Sequence, residues 1–164
     1  RQGAPVTLGN VARVRDAAKD MRERLRRLGL ESFAMATGGK GIHMVVPLAP
    51  KHSWEEHRNF AEALARLLDD EEPERFVANM SKARRKGRIF VDYLRNGRGA
   101  TAISPYSTRA RAGAYVATPV SWQQLARLKD AHPASIKDAR KLLKADPWPD
   151  YEQVKQALPL DKLK

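Results

Sequence analysis

Five residues, Thr37-Gly38-Gly39-Lys40-Gly41, interrupt an otherwise apolar stretch and constrain the fold more than any other feature of the chain. On either side, Ser32 to Thr37 and Ile42 to Val46 are apolar, partly β-branched and too short for helices. They are predicted to form two strands of a hairpin with a glycine-rich tip. Helical periodicity flanks the pair. Arg1 to Gly9 carries Gly and Pro without periodicity and is expected to be a loop. The helix after it is expected to be capped by Asn10, with Val11, Val14, Ala18, Met21, Leu25 and Leu28 recurring at threes and fours until Gly29 stops it. Beyond the hairpin, Ser53 and Glu56 form a capping-box signature, and Trp54, Phe60, Ala61, Leu64, Leu67 and Leu68 give the next helix its buried stripe.

Further along, Arg88 to Leu94 and Ala100 to Ser104 are predicted to be strands joined at the Asn96-Gly97 turn signal, with Asp92 inside the first. Helices are expected from Pro119, Ser121 and Trp122 to the neighbourhood of Lys129, over Ser135 to Leu143 and over Tyr151 to Ala157. The Asp146-Pro147-Trp148-Pro149 segment is a rigid connection. Helices flanking hairpins give an α+β class with a mixed or antiparallel sheet. With 164 residues, 42% of them hydrophobic, the chain can bury one core, and residues 1–164 are treated as a single domain or a large piece of one.

Charge narrows the function. The formal net charge is +12 and is unevenly spread. Between Ser81 and Arg111, nine basic residues stand against the single acid Asp92, a local net of +8. A solvated basic face is the plain account. Nucleic acid or nucleotide phosphate is the sharper one, and the lack of a long basic amphipathic helix with bulky apolar anchors disfavours a membrane surface. No apolar run reaches the ~18 residues of a membrane span and no leader pattern is present, so the cytoplasm is the expected compartment. Without cysteine there is neither a disulfide framework nor a thiolate metal site.

Several residues carry chemistry. Glycines at the hairpin tip let backbone N–H groups approach an anion, although a simple turn accounts for them equally well. The segment is not the phosphate loop of nucleoside triphosphatases, which opens a helix rather than a strand. Alternation puts His43 on the strand face opposite Ile42 and Met44, where a histidine is more often structural than catalytic. His52, His57 and His132 lack metal-site spacing and are expected to be surface residues. Asp92, an acid amid Ile89-Phe90-Val91-Asp92-Tyr93, calls for a cationic neighbour, either an arginine or a divalent metal. Arg109 and Arg111, at i and i+2 on an extended segment, would point guanidinium forks the same way, toward phosphate.

In their order these blocks are similar to the polymerase domain of bacterial ligase D, a member of the archaeo-eukaryotic primase superfamily. The resemblance rests on Thr37 to Leu48, Met80 to Thr101, Ser104-Pro105-Tyr106-Ser107 and the Arg109/Arg111 pair, and it runs from the first helix to around residue 160. It implies a primase-polymerase-like core in which Thr37, Gly38, Gly39, Lys40 and His43 lie against the incoming nucleotide's triphosphate. It makes Asp92 a catalytic carboxylate holding Mn²⁺ or Mg²⁺, and Arg95, Arg109 and Arg111 phosphate ligands. Lys82, Arg84, Arg85 and Lys86 precede the Asp92 segment and are assigned to the DNA backbone. The implied activity is template-directed nucleotidyl transfer, with a ribonucleotide preference, at DNA ends or gaps in non-homologous end joining. Ku protein and an attached ligase module are the implied partners, and the compartment is a bacterial cytoplasm, on the nucleoid when bound to DNA.

One departure from the family pattern is large. The Asp-x-Asp metal pair expected before the first helix is absent, and Arg1, Gln2, Gly3 and Ala4 stand near its place. The chain is therefore expected to be the C-terminal part of such a domain, inactive by itself. A non-catalytic nucleic-acid-binding module is the alternative, and a basic protein that binds anions without selectivity is a third.

Overall fold

A computed structural model describes residues 8–130 and 132–163. In chain order the elements are α1 (Leu8–Arg27), β1 (Phe33–Ala36), β2 (Ile42–Val45), α2 (Trp54–Glu71), β3 (Phe76–Val77), β4 (Ile89–Phe90), β5 (Thr118–Val120), α3 (Trp122–Ala126) and α4 (Ala139–Leu142), with single 3₁₀ turns between. Of the described residues, those up to Pro47 together with Ile103–Val154 form one compact unit, and Leu48–Ala102 with the residues from Lys155 onward form a second.

The first unit is built on an antiparallel sheet of order β2-β1-β5. The glycine cluster does what its spacing requires: Ala36 pairs with Ile42, and the turn closes through Thr37 N–H and Oγ1–H, both donating to the Gly41 carbonyl at 3.1 and 3.0 Å. Register puts Ala34, Ile42 and Met44 on one face, where they pack with Ala18 of α1 and Leu125 of α3. Val11, Ala17, Ala18 and Leu25 form the buried stripe of α1. The helix stops as the sequence predicts, at Gly29 with φ +83°. Leu30 N–H reaches back to the Leu25 carbonyl and Gly29 N–H to that of Arg26, both at 2.9 Å, a Schellman closure with two buried leucines beside it. Asn10, however, is not the cap. The helix already runs from Leu8, which extends the apolar spacing one turn earlier, and residues 1–7 of the expected loop lie outside the described residues.

The unforeseen strand of this unit is β5. Pro119 sits within it rather than opening a helix. A proline is admissible there because β5 lies at the end of the sheet order, where a missing N–H costs no ladder bond. Ser121 is the true cap of α3, in a reciprocal capping box with Gln124, and the helix ends at Ala126, short of Lys129. Ser135 to Leu143 folds as a 3₁₀ turn, Ile136–Asp138, running into α4. The rigid Asp146-to-Pro149 connection anchors Trp148, which meets Phe33 and Tyr151 at centroid distances of 5.6 and 5.3 Å. Only Tyr151–Gln153 is helical in the last predicted helix, as one 3₁₀ turn.

In the second unit α2 packs on β3, with Phe60, Leu64, Ala65 and Leu68 buried on the helix and Phe76 and Val77 buried on the strand. Burying each such large side chain is worth roughly 1.5–3 kcal/mol. The Ser53/Glu56 capping box is present in both directions. Trp54 and Leu67, by contrast, are exposed, at 60% and 38%, so the helix buries a narrower stripe than its composition suggests. The predicted hairpin about Asn96-Gly97 does not form. Strand β4 is two residues long and pairs parallel with β3, Leu94–Asn96 is a 3₁₀ turn, and Ala100 to Ser104 is irregular. Asp92 ends the strand, because its Oδ1 accepts the Leu94 N–H at 3.1 Å and folds the backbone into a turn.

Candidate functional site

The hairpin tip and the segment Tyr106 to Ala117 make one constellation. That segment returns on itself through Tyr106 N–H to Ala117 O, Ala117 N–H to Ser107 O and Arg109 N–H to Tyr115 O, at 2.7 to 2.9 Å. This arm carries Arg109 to the glycines: its Nε–H donates to the Thr37 carbonyl at 3.0 Å. Thr37 is 4% exposed, and its hydroxyl, besides donating to Gly41 O, accepts the Gly39 N–H at 3.3 Å. A Cβ on Gly39 would stand 3.6 Å from Arg109 Nη2, so a guanidinium edge lies along the tip. Gly38, at φ +65°, lies so near the arm that a Cβ there would be 3.1 Å from the Val116 carbonyl carbon and oxygen. With its Nε anchored on Thr37, Arg109 keeps its Nη groups along the tip, and such a guanidinium edge suits an oxyanion.

Lys40 is exposed at the tip. His43 lies opposite Met35 in register, half-buried, on the face away from Ile42 and Met44 as alternation predicts. Arg111 departs from expectation. Its N–H closes onto the Arg109 carbonyl at 2.8 Å, and it is exposed within a turn, so the two arginines do not share one extended segment. Gly113, at φ +91° with the Tyr115 ring over it, is the local signal for that turn.

In the other unit, Asp92 is exposed and follows the strand rather than lying within it. Its Oδ2 faces Arg95 Nε at 3.6 Å, so an arginine is the cation that answers it. Arg95 also donates to the Thr101 carbonyl at 3.2 Å. A divalent ion needs several oxygen ligands. Among the described residues no cluster of three His, Asp or Glu converges, so Asp92 as placed does not hold a metal by itself. Lys82, Arg84 and Lys86 are exposed on a 3₁₀ turn. Arg85 is differently engaged: its guanidinium lies 3.6 Å from the Phe90 ring centre and donates to the Met80 carbonyl at 2.6 Å.

A short antiparallel sheet flanked by helices, with a glycine hairpin braced by an arginine arm, defines a primase-polymerase-like α+β domain. Residues 5–148 match the model of the LigD primase-polymerase domain, and the chain belongs to that family. It is 41% identical over 138 residues to the multifunctional non-homologous end joining protein LigD of Pseudomonas aeruginosa, covering 82% of this chain and 16% of that protein. It is 33% identical over 110 residues to the bifunctional non-homologous end joining protein LigD of Bacillus subtilis, covering 66% of this chain and 18% of that protein. Among solved structures, the polymerase domain of Mycobacterium tuberculosis ligase D in complex with DNA superposes with a TM-score of 0.75 at 29% identity, over 84% of this chain and 47% of that one. The chain thus spans under a fifth of the length of these curated relatives. Among the described residues no helix is long and apolar enough to cross a membrane.

Proposed function

We propose that this chain is the nucleotide-gripping and DNA-gripping part of a polymerase domain that transfers nucleotides to DNA ends in non-homologous end joining. The carrying observation is the Arg109 Nε–Thr37 O bond, which holds a guanidinium edge along the glycine tip. In this reading the tip and Arg109 hold the triphosphate, with Lys40, His43 and Arg111 on the same unit. Arg95 is a further phosphate ligand, and Lys82, Arg84 and Lys86 follow the DNA backbone. Asp92 would contribute one carboxylate toward Mn²⁺ or Mg²⁺, an ion that would supply positive charge beside the triphosphate. Family membership and a DNA-bound relative support the reading. A ribonucleotide preference, a Ku partner, an attached ligase module and a place on the bacterial nucleoid belong to the same proposal.

The test is titration of a fluorescent GTP analogue, with unlabelled GTP, dGTP and tripolyphosphate as competitors. Arg109→Ala is expected to abolish saturable GTP binding while binding to a DNA oligonucleotide persists. Equal competition by tripolyphosphate would instead mark a general anion binder. The local excess of basic residues between Ser81 and Arg111 favours a second reading, a nucleic-acid-binding module without catalysis, which predicts DNA binding but no GTP binding.

A further inference from the structure

Away from the hairpin tip, the first unit has a cleft of about 550 Å³ whose chemistry does not suit phosphate. Phe33, Trp122 and Trp148 line it, and both indoles have already used their single donor. Trp122 Nε1–H donates to the Ser32 carbonyl at 3.1 Å, and Trp148 Nε1–H is shared between the Ala34 and Val120 carbonyls at 3.1 and 3.3 Å. Pro147 and Pro149 on the same wall have no N–H, and the Trp148 N–H between them is held by Asp146 Oδ1 at 2.9 Å. Arg22, Glu31, Gln123 and Gln124 also line the cleft, but around Trp148 and the two prolines the wall presents ring faces and carboxylates.

Asp146 and Asp150 line the cleft, both exposed, and among the described residues neither has a salt-bridge partner, in a chain whose net charge is +12. Ser32, 3% exposed, also lines it and leaves its Oγ without a hydrogen-bond partner. The carboxylates do not converge on a metal, since no such cluster exists among the described residues. The aromatic wall already accepts a flat cation, because Arg22 of this same chain lies over the Trp122 ring at 4.6 Å.

We propose that this cleft docks a basic, extended segment of a partner protein, with an arginine or lysine stem along the Trp148–Phe33 wall and its charged head toward Asp146 and Asp150. A guanidinium or ammonium supplies only donors, which is the complement of two carboxylates without an ion-pair partner beside indoles whose N–H groups are spent. Nucleic acid would bring phosphate oxygens to two unpaired carboxylates. The site is therefore separate from the nucleotide and DNA surfaces and does not depend on the reading given for them.

The full chain carrying Trp54→Phe reports on the cleft, because its remaining tryptophans are Trp122 and Trp148. Titration with a blocked arginine hexapeptide is expected to change their emission saturably, and a glutamate hexapeptide to leave it unchanged. Replacing both acids, Asp146→Asn with Asp150→Asn, is expected to weaken the arginine peptide about tenfold or more while far-UV circular dichroism and oligonucleotide binding stay as they were. An absent response, an unchanged affinity in the double variant, or displacement of the peptide by a DNA oligonucleotide would overturn the proposal. So would self-association without peptide that the double variant abolishes, which would make the occupant a second copy of this chain.

Discussion

Of the three glycines at the hairpin tip, Gly38 carries the strictest requirement. Its φ of +65° is one that L side chains adopt at a cost of about 1 kcal/mol, and a methyl there meets the Val116 carbonyl, which is backbone and cannot rotate away. Gly38→Ala is expected to lower the melting temperature and, by pushing the tip off the arm that delivers Arg109, to weaken GTP binding. A methyl on Gly41 would meet nothing within 4 Å, so Gly41→Ala is the control, expected within about 0.5 kcal/mol of the parent and with unchanged nucleotide affinity. Thermal melts and GTP titrations on the two variants decide the matter, and equal behaviour would show that the tip-to-arm contact carries neither stability nor binding. That glycines mark a tip is legible in the sequence, as is the face on which His43 lies. Which glycine is irreplaceable is not, because the constraint comes from Val116, far along the chain. For the same reason the Arg109–Thr37 bond, which spans 72 positions, leaves no local trace.

Capping boxes show how far local signals reach at the level of elements. The described residues contain three, Ser53/Glu56, Ser121/Gln124 and Ser135/Asp138, and the first is legible from spacing alone. In α2 the Ser53 N–H donates to Glu56 Oε2 at 2.6 Å, and that bond, chiefly, holds the Glu56 carboxyl below its ordinary value. A group with a depressed folded pKa stabilises at pH above its unfolded value and loses that contribution as pH falls through the folded one. Glu56→Gln is therefore expected to lower the melting temperature at neutral pH and to have little effect once the pH is below both values. Gln124 has no charge to lose, so Gln124→Ala is expected to cost the same at both pH values. Melts at the two pH values check this, and a Glu56→Gln deficit that persists in acid would count against the assignment. Elements that depend on distant partners are hidden from such local reading. Strands β3 and β4 are two residues each, and they pair in parallel. The Asn96-Gly97 signal invites a hairpin that the Asp92 turn pre-empts, and Pro119 imitates a helix start because proline is favoured at that position too.

At the scale of the whole molecule, a net charge of +12 draws in any polyanion, so an affinity for DNA does not by itself say which cations touch it. Salt dependence does. Each phosphate neutralised by a side chain adds about 0.7 (single strand) to 0.9 (duplex) to the slope of log affinity against log salt, whereas a cation that only raises the general field adds much less. Lys82, Arg84 and Lys86 project from their turn into solvent, but Arg85 is committed to Phe90 and the Met80 carbonyl. The four basic residues that the sequence groups together are thus expected to separate. Arg84→Ala should lower the slope by about 0.7–0.9 at little cost in stability. Arg85→Ala should leave the slope nearly unchanged and instead destabilise the fold by about 1 kcal/mol, through loss of the cation–π contact and a hydrogen bond. Arg109→Ala, on the other compact unit and bonded to the hairpin tip, should change neither the DNA slope nor its intercept while removing GTP binding. Fluorescence anisotropy with one labelled oligonucleotide across a salt series, paired with a melt of each variant, reads all three. A slope change at Arg85 with an unaltered melting temperature would show that its ring contact opens on DNA and that the division among these cations is wrong.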